Sequence, residues 1–162
     1  MTCATPPEDA SSDPAHIEAE ARLDDDSRQP EDAGSSRLFR VDPRLAPGLY
    51  VVSTPIGNLR DITLRALDIL ASVDVVCAED TRVAGKLMSA FGVSARLRPY
   101  HDHNGAQARP GLLKELESGS RIALMSDAGT PLISDPGYKL VREAAELGIP
   151  IYAIPGASAP LT

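Results

Sequence analysis

Leu49-Tyr50-Val51-Val52, then Thr54-Pro55-Ile56-Gly57-Asn58, then Leu64, Leu67 and Leu70 set the pattern for most of the chain. Four apolar residues without alternation read as a strand buried on both faces. A short segment holding Pro and Gly turns the backbone, and leucines three apart mark one stripe of a helix. The unit recurs. Apolar runs at 73–77, 121–125 and 149–154, with a weaker one at 96–100, give four more strands. Val83, Leu87 and Phe91 form a second helical stripe, Leu112, Leu113 and Leu116 a third, and Leu140, Val141, Ala144 and Leu147 a fourth. Gly92, Gly119 and Gly148 follow the last apolar turns of the second, third and fourth, where a left-handed residue ends a helix. Five strands alternating with four helices predict an α/β domain: a largely parallel five-stranded sheet with flanking helices.

Ligands of such folds gather at the carboxyl ends of the strands. The helix-to-strand connections are short and plain. The strand-to-helix loops carry the unusual residues: 54–58, 78–82, 101–104, 126–137 and 155–158. Polar, Gly and Pro residues segregated to one rim predict a binding site there.

Residues 1–46 differ in texture. They hold 11 acids against 5 arginines, a net charge of −6 within a chain total of −7. They lack sustained apolar periodicity, so a disordered acidic tail is expected over 1–46, with the folded domain over 47–162. The domain itself is near neutral, and net charge decides nothing about nucleic acid. No stretch approaches the roughly 18 apolar residues of a membrane helix, and the acidic N-terminus lacks a signal-peptide core. A cytoplasmic protein without membrane partners is the expectation. Two cysteines, Cys3 and Cys77, make neither a disulfide framework nor a cysteine zinc site.

No Gly-x-Gly, Gly-Lys-Ser/Thr or Gly-x-Ser-x-Gly spacing occurs, which excludes the redox Rossmann, P-loop and α/β-hydrolase fingerprints. The densest segment is Ser126-Asp127-Ala128-Gly129-Thr130-Pro131-Leu132-Ile133-Ser134-Asp135-Pro136-Gly137. Two prolines stiffen it and Gly129 permits close backbone approach, so amides and hydroxyls are presented to a polar ligand. An ordinary capped turn explains only its last three residues.

Asp127 to Gly137 of that segment resembles the signature of the ribosomal RNA small subunit methyltransferase I family. Four further blocks, in the same order, resemble that family's others: Thr54-Pro55-Ile56-Gly57-Asn58-Leu59-Arg60-Asp61-Ile62-Thr63, Ala78-Glu79-Asp80-Thr81-Arg82, Tyr100-His101-Asp102-His103-Asn104 and Pro155-Gly156-Ala157-Ser158-Ala159. The likeness runs from about residue 48 to 162. It places the chain among the tetrapyrrole-methylase-like, class III methyltransferases. It implies S-adenosylmethionine as donor and the 2′-hydroxyl of a cytidine in small-subunit (16S) ribosomal RNA as acceptor. Tetrapyrrole-methylating relatives usually show Gly-Asp-Pro where this chain has Gly129-Thr130-Pro131, which favours the RNA branch.

By the resemblance, the cofactor site takes in Pro55, Gly57, Ser126, Asp127, Ala128, Gly129, Thr130, Ser134, Asp135, Pro155, Gly156, Ala157 and Ser158. Backbone amides suit the donor's carboxylate, and Asp127 or Asp135 its ammonium. Glu79, Asp80 and His101 are candidates for a base at the ribose hydroxyl, by loop position alone. Asn58, Arg60, Arg82, Lys86, His103 and Asn104 lie near the same rim as candidate RNA contacts. His101-x-His103 with one Asp is too few ligands for zinc, so no metal is expected. Cys77 at a strand end reads as a small buried hydrophobe.

The family's proteins continue well beyond the length matched here, with the cofactor between two α/β domains. A second domain is therefore expected to be absent from this chain, and the 162 residues alone are expected to transfer no measurable methyl. A fifth strand without a full covering helix leaves an apolar face that suits a homodimer. The alternatives are a non-catalytic binding or dimerising module, and a methyltransferase acting on a tetrapyrrole.

Overall fold

The computed structural model describes residues 38–131 and 137–158. The five strands are β1 (Gly48–Val52), β2 (Val75–Ala78), β3 (Leu97–Pro99), β4 (Arg121–Met125) and β5 (Ile151–Ile154). They form one sheet in the order β3-β2-β4-β1-β5, and every pairing is parallel. Helices α1 (Leu64–Ser72), α2 (Thr81–Ala90), α3 (Asp102–Glu117) and α4 (Tyr138–Glu146) occupy the crossovers.

Alternation along the strands builds two cores. Tyr50, Val52, Val76, Ala78, Ala123 and Met125 pack on one face beneath Leu67 and Leu70 of α1 and Leu87 and Met88 of α2. Leu49, Val75, Cys77, Ile122 and Leu124 pack on the other, beneath Leu112 and Leu116 of α3 and Leu140 of α4. Because both faces are covered, β1, β2 and nearly all of β4 are buried, which is why they read as unbroken apolar runs. Gly92, Gly119 and Gly148 all take positive φ at the ends of their helices. Salt bridges tie the second layer together: Arg98 Nη1 to Glu115 at 2.7 Å and Arg109 Nε to Glu143 at 2.8 Å.

Two boundaries differ from the sequence expectation. Helix α3 starts at Asp102, so His103 and Asn104 belong to its first turn rather than to a loop. The apolar stripe begins only at Leu112, because of the first two turns only Gly105 is buried, against Tyr100. Residues 38–46, expected in the tail, pack on the domain. Phe39 is 8% exposed in the α1-side core, Arg40 N donates to Asp68 Oδ1 and Asp42 N donates to Ser72 Oγ. Residues 1–37 of that expected tail lie outside the described residues, as do 132–136 and 159–162.

Phe39 thus acts as an apolar anchor for a polar segment. Phe39→Ala is expected to lower unfolding stability by about 3 kcal/mol, the usual cost of emptying a buried phenylalanine site. Urea denaturation followed by circular dichroism measures it, and an unchanged midpoint would show that residues 38–46 contribute nothing to the core.

Candidate functional site

Parallel pairing brings all five strand-to-helix loops to one rim, and the strand order sets which loops touch. The loops after β4, β1 and β5 are neighbours, and hydrogen bonds lace them together. Thr54 and Gly129 form a two-bond antiparallel bridge, with Thr54 N to Gly129 O at 2.9 Å and Gly129 N to Thr54 O at 3.0 Å. Thr54 Oγ1 also donates to Ser126 O at 3.1 Å. Thr130 Oγ1 donates to Ala157 O at 3.0 Å. Its single proton is thereby used, so at the 2.9 Å contact with Ser53 Oγ it is Ser53 that donates.

Two glycines make this closeness possible. Gly129 sits at φ +81°, and a Cβ there would lie 3.3 Å from Ile56 Cδ1. A Cβ on Gly156 would lie 2.8 Å from Ser53 Cβ. The sequence pointed to Gly129 for the approach of a ligand. The structure shows a different neighbour: Ile56 of the same site and, at 3.8 Å, the Ala157 carbonyl. Both glycines hold the loops to one another.

The loop after β2 joins this assembly through Asp80 N, which donates to Asp127 Oδ1 at 3.0 Å. Asp80 itself is the N-cap of α2. Its carboxylate accepts from Arg82 N at 2.8 Å and from the Arg82 guanidinium, with Nη2 at 2.6 Å. The guanidinium first, and the Arg82 amide second, hold the Asp80 carboxyl down at about 2. A carboxylate this weakly basic is poorly matched to accept a proton near neutrality. Its folded value lies below the ordinary 3.8, so the cap's contribution is complete above that value and is lost as pH falls through about 2. Exchange protection of the Arg82 amide is therefore expected to stay constant from pH 8 to 5. A loss of protection in that window would contradict the pairing.

The remaining sequence candidates fall as follows. Pro55 is buried beneath the rim, while Gly57 and Glu79 are exposed on it. Ala128, Pro155 and Gly156 are exposed beside the laced hydroxyls, and Ser126 Oγ donates to Gly129 O at 3.2 Å. Ala157 and Ser158 are half-buried. Ser134 and Asp135 lie outside the described residues. Asn58 caps a 3-10 turn, Leu59–Asp61, by accepting from Arg60 N at 3.1 Å. Arg60 and Lys86 are exposed. Asn104 is engaged in closing the turn before α3: its Oδ1 accepts from His101 N at 2.9 Å and its Nδ2 donates to Pro99 O at 2.9 Å. His101 and His103 follow β3, an edge strand two places from β4, so they stand apart from the laced loops. Their rings meet edge to face at 6.0 Å. Among the described residues no three His, Cys, Asp or Glu side chains gather as a metal set. Cys77 is fully buried, and burial pushes its thiol up to about 12. No described helix is long and apolar enough to cross a membrane.

Ser53 was invisible to motif reading, although a polar residue 3% exposed at a strand end is a signal once burial is known. Leu59, Val83, Leu87 and Met125 were likewise missed. With Thr54, Pro55, Lys86 and Asp127 they line a cavity of about 280 Å³ beside the laced loops.

The laced segments 53–56, 126–131 and 155–158 contain no Lys, Arg or His, and Asp127 is their one carboxylate. A rim with backbone amides, hydroxyls and a single negative charge suits a small ligand bearing cationic groups and a carboxylate. The fold is that of a known class. The sequence model of tetrapyrrole (corrin/porphyrin) methylases matches residues 48–162, and the chain belongs to that family.

Within it, the similarity is to ribosomal RNA enzymes. Ribosomal RNA small subunit methyltransferase I of Mesorhizobium japonicum is 56% identical over 117 residues, 72% of this chain and 40% of the relative. The protein of the same name from Escherichia coli O157:H7 is 56% identical over 114 residues, 70% of this chain and 40% of the relative. The chain therefore spans about 40% of the length of these curated relatives. Uroporphyrin-III-C-methyltransferase from Thermus thermophilus superposes with a TM-score of 0.56 at 22% identity, over 70% of this chain and 48% of that one. That likeness establishes the fold.

Proposed function

We propose that this chain serves S-adenosylmethionine-dependent methylation of the 2′-hydroxyl of a cytidine in small-subunit ribosomal RNA, in the cytoplasm. The observation that carries the reading is the lacing of segments 53–56, 126–131 and 155–158, which carry Asp127 and no Lys, Arg or His. It fits a donor that carries a sulfonium, an ammonium and a carboxylate. The names of the relatives supply the ribosomal RNA.

When bound, S-adenosylmethionine supplies a methyl group already activated on positively charged sulfur. What remains for the protein is alignment, which accounts for most of the rate in such transfers. Asp127 would hold the ammonium, and the amides of Ala128, Thr130, Gly156 and Ala157 would hold the carboxylate, the Gly129 amide being engaged by Thr54 O. Thr130, fixed by Ser53 on one side and Ala157 on the other, keeps those segments from drifting. Glu79 holds the proton of the ribose hydroxyl: it follows β2, next to β4, whereas His101 lies one strand further off and Asp80 is committed to Arg82. Arg60, Arg82 and Lys86 meet phosphates of the RNA strand.

The test is transfer of labelled methyl by the full-length gene product to small ribosomal subunits from a strain lacking the gene. Label recovered as 2′-O-methylcytidine supports the reading. Label recovered only on a base, or on a tetrapyrrole offered in parallel, refutes it.

A further inference from the structure

The cavity of about 280 Å³ between the loop after β1 and helix α2 has a chemistry unlike that of the laced rim. Its wall is made by Pro55, Leu59, Val83, Leu87 and Met125, relieved by Thr54 and Asp127 where it adjoins the laced loops, and by Lys86. Leu59 is 50% exposed and Val83 38%, so the mouth of this cavity presents apolar side chains to solvent.

We propose that this cavity receives the acceptor nucleoside, swung out of an unpaired RNA strand, with its base against the apolar wall and an adjoining phosphate at Lys86. The proposal rests on the RNA-methylating reading above and names where that substrate sits. Four observations support it. The volume lies just under the roughly 300 Å³ at which small-ligand pockets begin, which suits one nucleoside rather than a tetrapyrrole. Among the described residues no aromatic side chain lines the cavity, so a base here meets an aliphatic slot in place of a stacking platform. Lys86 attracts the phosphates of an RNA strand, while Asp127, on the side of the laced loops, is held by the Asp80 amide and faces the donor. Continuity completes the case: Thr54 and Asp127 belong both to this cavity and to the laced loops, so a ribose here abuts the donor.

Two variants of the full-length gene product test it. Val83→Trp fills the slot, and Lys86→Glu reverses its charge. Affinity for a labelled ten-nucleotide single-stranded RNA containing cytidines is read by fluorescence anisotropy, and affinity for S-adenosylmethionine by calorimetry. Each variant is expected to weaken RNA binding by roughly tenfold or more, the equivalent of about 1.4 kcal/mol, with cofactor affinity unchanged. Wild-type RNA affinity in both variants, in a protein that still methylates small subunits, overturns the pocket and leaves the reading intact. Loss of cofactor binding in Val83→Trp, with RNA binding retained, assigns the cavity to the donor's adenosine and also overturns it. Failure of the wild-type protein to bind or methylate any RNA overturns the pocket together with the reading.

Discussion

Gly156→Val is expected to weaken S-adenosylmethionine binding by roughly tenfold to a hundredfold while leaving the sheet in place. The argument is steric. Even a single Cβ at this position would sit 2.8 Å from Ser53 Cβ, nearer than unbonded carbons approach, with Ser53 O already in contact at 3.4 Å. Neither neighbour can swing away, since Ser53 directly follows β1 and its amide donates to Ile154 O at 3.2 Å. The loop after β5 must therefore move out. That motion pulls the Ala157 carbonyl from Thr130 and loosens the two segments proposed to hold the cofactor's carboxylate. Overpacking of this kind costs about 1–3 kcal/mol, which gives the stated range if the loss is expressed in binding. Calorimetry on the full-length gene product measures it. Unchanged affinity with native circular dichroism would remove the loop after β5 from the site.

Gly129→Val is expected to have an effect of similar size by another route. At φ +81° a side chain is strained, by about 1–2 kcal/mol for an ordinary residue and more for a β-branched one. The added Cβ also meets Ile56 at 3.3 Å. Relief requires the loop after β4 to rotate, which breaks the paired Thr54–Gly129 bonds and shifts Asp127, the residue assigned to the donor's ammonium. Gly129→Ala carries the backbone strain with less bulk and should fall between wild type and valine. A valine variant that binds the cofactor normally, with its fold intact, would show that this turn only connects β4 to α4.

How much of this was legible in the residues depends on the range of the interaction. The strands were legible because burial on both faces leaves apolar runs such as Leu49 to Val52. Helix ends were legible because Gly92, Gly119 and Gly148 answer a local steric need. The start of α3 was not, since its first turns bury little and show no apolar stripe. Phe39 escaped notice as one aromatic in a polar stretch without a period, although it packs on α1 some thirty residues later. Asp80 lay between the two cases. Its capping role is a local signal, an Asp three residues before the stripe of Val83 and Leu87 begins, while its place in a strand-to-helix loop equally suits a base.

The site divides in the same way. Residue types at the rim were readable from parallel topology, which requires only the alternation of elements. Their contacts were not, because they depend on strand order. Ser53 meets Thr130, 77 residues away, only because β1 lies beside β4. A sheet in another order would leave both hydroxyls exposed. The cavity beside α2 was hidden for a related reason: Leu59 and Val83 look like core until their exposure is known, and Leu87 and Met125 are core residues that also form its floor.

The central claim, a ribosomal RNA ribose methyltransferase, is tested most directly in the cell. Deleting the gene and mapping small-subunit ribosomal RNA by mass spectrometry is expected to remove one 2′-O-methylcytidine, with every other modification retained. Restoring the full-length gene should return it fully, and restoring the Gly156→Val form only in part. An unaltered set of ribose methylations in the deletion strain would contradict the account.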